Sequence, residues 1–70
     1  MKYIFTDHAE DRLEKRKLSK EEVIDSIKYS NIKVKKHGKY YARKITQRGN
    51  LETVYEKTEK NIRIVTFYWL

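Results

Sequence analysis

The spacing of apolar residues changes period twice along the chain. Lys2 to Phe5 is a short β-prone run. From Asp7 the spacing lengthens: Ala9 and Leu13 recur at i, i+4 and make an apolar stripe beside a polar stripe of His8, Arg12 and Arg16. That pattern predicts a helix over about residues 7–16. Thr6 or Asp7 caps it, Asp7 and Glu10 have the D-x-x-E spacing of a capping box, and Asp11 precedes Lys15 in the favourable i, i+4 order. A second helix follows Ser19. Ser19 and Glu22 form an S-x-x-E capping box, and Leu18 and Val23 are placed as a hydrophobic staple. Val23, Ile24 and Ile27 give an apolar face, and Tyr29 ends the helix. The Lys17-Leu18 link is short enough to force an αα-hairpin.

Beyond Ser30 and Asn31 the period drops to two. IKVKK alternates Ile32 and Val34 with lysines, as a half-buried strand does, and His37-Gly38 reads as a turn or bulge. YYARKIT is the next strand, QRGN a turn and LETVYEKT a third strand. A tight turn from Thr58 to Asn61 follows, in which Asn61 suits the left-handed position. The final strand, Ile62 to Trp69, shows no polar face on strict alternation: Ile62, Ile64 and Tyr68 fall on one side, Val65, Phe67 and Trp69 on the other. Such a strand is usually central and covered on both faces. Two helices cover one face, so the other needs large side chains, a dimer partner or a ligand. The expectation is one domain over residues 1–70. It is an α+β fold in the order β-αα-ββββ, with a two-helix hairpin on a mostly antiparallel sheet.

Composition narrows the chemistry. Seventy residues allow one small core. The absence of Cys removes disulfides, thiolate zinc sites and a Cys nucleophile, and suits a reducing cytosol. With His8 and His37 as the only imidazoles, no metal site or cofactor is expected. No apolar run is long enough for a signal peptide or a membrane span, so a cytoplasmic protein is expected. Charge is more informative. The net charge is +7, and between Lys28 and Arg48 stand eight basic residues and no acid. One third of the chain carries the whole excess.

That stretch attracts a polyanion irrespective of its sequence. Lys33, Lys35, Lys36, Lys39, Arg43, Lys44 and Arg48 supply the charge, and Tyr40 and Tyr41 among them are stacking platforms for unpaired bases. The competing reading is that the lysines guard edge strands and the tyrosines are core; edge protection, however, would tolerate acids. The His8, Arg12 and Arg16 stripe also has two readings. It is an anion-facing surface, or an exposed helix face in which His8 pins the helix to the sheet and the arginines pair with Glu52 or Glu56.

The run from Phe5 to Ile27 resembles a widespread prokaryotic family of small proteins of unassigned function, which share an H-A-x-x-R-x-x-x-R helix and a Ser-capped second helix. Here those positions are His8, Ala9, Arg12, Arg16 and Ser19. That family is similar in layout to RelE/ParE-like toxins, many of which cut messenger RNA on the ribosome. The resemblance implies a toxin or toxin-derived protein that binds RNA and cleaves it as a metal-independent endoribonuclease, with an acidic antitoxin as partner. It also implies a functional Tyr68 in TFYWL near the end of the last strand. Cleavage without a metal needs a base, cations on the phosphate and an acid for the leaving oxygen. His8 near a helix N-terminus suits the base, and Arg12, Arg16 and Arg43 suit the clamp. No counterpart is found for the catalytic His or Arg that some of those toxins carry on their last strands. The alternative is a non-catalytic nucleic-acid- or protein-binding module in which the motif helix is a folding signature.

Overall fold

A computed structural model describes residues 1–70. The elements are β1 (Lys2–Phe5), α1 (Asp7–Arg16), α2 (Lys20–Lys28), β2 (Ile32–Lys36), β3 (Lys39–Thr46), β4 (Gly49–Lys57) and β5 (Asn61–Trp69). The five strands form one sheet in the order β1-β5-β4-β3-β2, antiparallel except for the β1–β5 pair. Both helices lie on one face, α1 over β5 and α2 over β3 and β4. The expected α+β layout is therefore the one observed.

Local chemistry explains the helix ends. Thr6 is the N-cap of α1: its hydroxyl accepts from the Ala9 amide at 3.1 Å and donates to the Ile64 carbonyl at 3.0 Å. One hydroxyl thus starts the helix and ties it to β5. Because Thr6 rather than Asp7 takes the N-cap position, the Asp7–Glu10 box does not form; both acids stay in the first turn, where the helix dipole favours them. The helix stops because Lys17 turns left-handed, at φ 55°, so that the Lys17 and Leu18 amides reach back to Glu14 and Leu13. In α2 the Ser19–Glu22 box forms in both directions, at 3.1 and 2.9 Å. The Ser19 amide, with Arg48 as a nearby cation, holds the Glu22 carboxyl below its usual range against the opposing effect of desolvation.

The core lies between helices and sheet, with Ala9, Leu18, Val23 and Ile27 packed against Ala42, Leu51, Tyr55, Ile62, Ile64 and Phe67. Within it Ser26 and Thr53 are both buried and share a 2.7 Å hydrogen bond, while Ser26 also lies 2.6 Å from the Val23 carbonyl. Neither hydroxyl is left unpaired, which is the condition for tolerating them there.

β2, expected half-buried, is exposed at all five positions because the helices pack over the other strands. Two expectations about the last strand and the turn before it are also corrected. The β4–β5 register jumps between Val54 and Tyr55: Thr66 faces Val54, Ile64 faces Tyr55, and Val65 is an extra residue on β5. A bulge shifts the alternation by one position. Ile62, Ile64, Phe67 and Trp69 consequently all face the helices, leaving Arg63, Thr66 and Tyr68 on the other side. The last strand is not two-faced and its outer face needs no apolar cover. It is an interior strand, flanked by β1 and β4, as expected. The second correction concerns Asn61, which enters β5 with negative φ; the Thr58 side chain makes that turn instead, its hydroxyl accepting from the Asn61 amide at 3.1 Å. In the β2–β3 hairpin His37 and Gly38 both have positive φ, 53° and 75°, which is the mirror-image turn that suits strand twist.

Candidate nucleic-acid interface

The sheet face away from the helices carries a polar line that crosses three strands. The Gln47–Arg48 turn sets Thr46 opposite Gly49, which places Arg43 opposite Glu52; on the other side of β4, Glu52 faces Tyr68. Arg43 Nη2 donates to Glu52 Oε1 at 3.2 Å, and the Tyr68 hydroxyl donates to Glu52 Oε2. The Glu52 side chain is only 13% exposed, a costly position for a carboxylate without two charge-assisted donors. Burial first, and then the bond to Glu52, pushes the Tyr68 phenol up to about 12. Near neutrality it is a proton-bearing donor, unable to act as a base.

The neighbouring row on this face runs Val34, Tyr41, Val54, Thr66. Val34, Lys36, His37, Tyr41, Arg43 and Glu52 line an open concavity of about 420 Å³. The Nε of Arg43 is buried and has no acceptor.

A second group lies along α1, which is tied to β5 near both ends. His8 Nε2 is 3.1 Å from the Thr66 hydroxyl, and the Trp69 indole donates to the Arg16 carbonyl at 3.2 Å. Because β1 pairs only with Asn61 to Ile64, β5 from Val65 onward lies beyond β1, and His8 and the Arg16 carbonyl meet it there. Neither arginine pairs with Glu52 or Glu56. Glu52 is taken by Arg43, and Glu56 by Arg63 at 2.6 Å and Lys39 at 3.9 Å. The Arg12 side chain is 27% exposed and its nearest acid, Asp11, is 4.0 Å away. Arg16 has no carboxylate partner, and its Nε is buried without an acceptor. The Tyr68 hydroxyl touches none of the three stripe residues; His8 meets β5 two residues earlier, at Thr66.

The remaining charged hairpin residues are divided between the two faces, because neighbours along a strand point opposite ways. Tyr40 turns to the helix side, where it stacks on Tyr55 at 5.2 Å with Lys35 Nζ above its ring. Tyr41 is the tyrosine of the pair on the open face. Arg48 turns toward α2, donating to the Lys17 carbonyl at 2.9 Å and to Glu22 at 2.5 Å while lying over the Trp69 ring. Lys44 lines a separate cavity of about 390 Å³ beside Arg48 and Trp69. Every β2 residue is exposed, and Lys33, Lys35, Lys36 and Lys44 have no carboxylate partner.

A family model described as a domain of unknown function, DUF4258, matches residues 5–69. The chain belongs to this family. No curated protein and no solved structure matches it. The matched span of DUF4258 takes in both helices, all of β2 to β5 and every residue of the two groups described above. No helix is long and apolar enough to cross a membrane, and no three His, Cys, Asp or Glu side chains converge to hold a metal ion. Glu52 was not singled out as a functional residue by sequence reasoning. The two-residue turn before Gly49 was the signal for its pairing with Arg43; nothing in the sequence marked the bulge that sets Tyr68 opposite it.

Proposed function

We propose that this DUF4258 protein is a RelE/ParE-like toxin or toxin-derived protein that binds RNA. The observation that carries the reading is the acid-free stretch from Lys28 to Arg48, of which Lys33, Lys35, Lys36 and Lys44 keep their charge unneutralised by any carboxylate of the fold. Lysines held on an exposed strand bind phosphates by releasing counterions, so affinity falls steeply with salt. RNA is favoured over duplex DNA because Tyr41 offers a ring on an open sheet face, the arrangement that suits unstacked bases. A small acidic protein is the partner whose charge complements this hairpin.

Cleavage is the more demanding part of the proposal. His8 as base and Arg12 with Arg16 as phosphate clamp fit a metal-independent ribonuclease, and both guanidiniums lack close internal partners. Tyr68 fits it less well, because its hydroxyl is spent on Glu52 and sits away from the stripe. That engagement favours the second reading, a non-catalytic RNA-binding module built on the same layout.

The test is binding of single-stranded RNA against salt, comparing the native chain with a Lys33→Ser/Lys35→Ser/Lys36→Ser variant. These side chains are exposed, so the fold should be unaffected. Three lost phosphate contacts should flatten the slope of log affinity against log salt by about two. An unchanged slope places the surface elsewhere, and absence of binding by the native chain overturns the proposal.

A further inference from the structure

We infer that the concavity on the open face of the sheet is a guanine-reading subsite for an RNA strand, with Glu52 as the residue that selects the base. The inference rests on the RNA-binding reading above and adds to it the identity of one base. Glu52 is the acid lining a concavity that Lys36, Arg43 and His37 also line. An almost buried carboxylate adds little to stability compared with an apolar residue of the same size. A phosphate is repelled by it, whereas a base with N–H groups on its edge is attracted.

The geometry narrows which base. Arg43 donates to one carboxylate oxygen and Tyr68 to the other, so the carboxylate is held from both sides and each oxygen keeps a further lone pair. Two oxygens side by side, both acceptors, match two adjacent N–H donors. Guanine alone among the four RNA bases offers these on its Watson–Crick edge, at N1 and the N2 amino group. Adenine and cytosine each set a ring nitrogen lone pair next to their amino group. Uracil flanks its single N–H with two carbonyls. Each of these three would oppose an acceptor to the carboxylate. The other groups have roles suited to the same occupant. Tyr41 supplies a ring to stack on, and Arg43 keeps a guanidinium nitrogen for the guanine O6. Lys36 and His37 stand at the β2–β3 turn, where the phosphate of a base seated on Tyr41 would lie. A volume of about 420 Å³ accommodates one nucleotide.

The experiment measures binding of labelled single-stranded uridine oligonucleotides that differ only at one central position, which is guanine, adenine, cytosine, uracil or hypoxanthine. Hypoxanthine lacks the N2 amino group, so the second hydrogen bond is deleted on the ligand and the protein is untouched. The guanine oligonucleotide should bind about tenfold more tightly or better than the other three natural ones, and hypoxanthine should lose most of that advantage. Glu52→Gln, checked for an unchanged fold by its unfolding transition, should level all five. Equal binding of all five by the native chain overturns the inference and leaves RNA binding standing. A guanine preference that survives the change to hypoxanthine also overturns it. Failure to bind any of the five overturns the RNA-binding reading itself.

Discussion

Deleting the hydroxyl of Tyr68 probes the polar line on the open face with a single atom. Tyr68→Phe keeps the ring and removes one of the two donors that hold Glu52. The phenol rises from 10.0 to about 12 on folding. Burial, the larger cause of that rise, makes the ionised phenol costly without strengthening the neutral bond, so the worth of the hydroxyl at neutral pH is that of its hydrogen bond to Glu52. The expected loss at neutral pH is about 1.5–3 kcal/mol, the usual net value of a hydrogen bond to a charged group. The pH dependence has a definite sign. Because the folded-state value lies above the unfolded one, the native protein keeps a proton that the unfolded chain gives up between these two values. The stabilisation is complete below pH 10.0 and is lost as pH rises toward about 12. Phenylalanine has no such proton, so the gap between native chain and variant should close over that window, while lysine titration affects both alike. Urea unfolding of the two proteins at neutral pH and in steps through the alkaline range reads the gap directly. Equal stability at neutral pH, or a gap that stays constant to high pH, would refute the account of this site.

Ser26→Ala should destabilise by about 1–2 kcal/mol, because the buried Thr53 hydroxyl loses its partner. Adding Thr53→Val should restore most of that loss, and a double variant less stable than Ser26→Ala in denaturant unfolding would show the hydroxyl pair is not the cause. Lys17→Gly should stabilise by about 1 kcal/mol, since Lys17 holds φ 55° at the end of α1; an unchanged unfolding midpoint would count against strain there. His8→Gln should lower RNA cleavage by roughly 10²-fold at unchanged unfolding temperature if His8 is a general base. An unaltered rate per folded molecule, with a lowered unfolding temperature, assigns His8 to anchoring α1 on Thr66.

Local signals in the sequence determined most of the architecture. The Ser19–Glu22 box, the short Lys17-Leu18 link and the change from helical to alternating apolar spacing each act within a few residues, so they survive whatever the rest of the chain does. The same locality explains why the Arg43–Glu52 pair could have been read: a two-residue turn sets the register of the strands it joins. The excess of positive charge was equally plain, since net charge needs no geometry. Tertiary structure decided the rest. The bulge at Val65 depends on how Ile64 and Phe67 both reach the helix layer, a packing demand that alternation cannot express, and it alone turns Thr66 and Tyr68 to the open face. The withdrawal of Arg48 onto Glu22 and Trp69 and the separation of Tyr40 from Tyr41 follow from which face of the sheet the helices occupy, and the burial of Glu52 from the Arg43 and Tyr68 side chains that flank it on the other. Side chains that form one basic segment in sequence become two faces in space because successive side chains of a strand point to opposite sides, and only the packed helices establish which face remains open to a ligand.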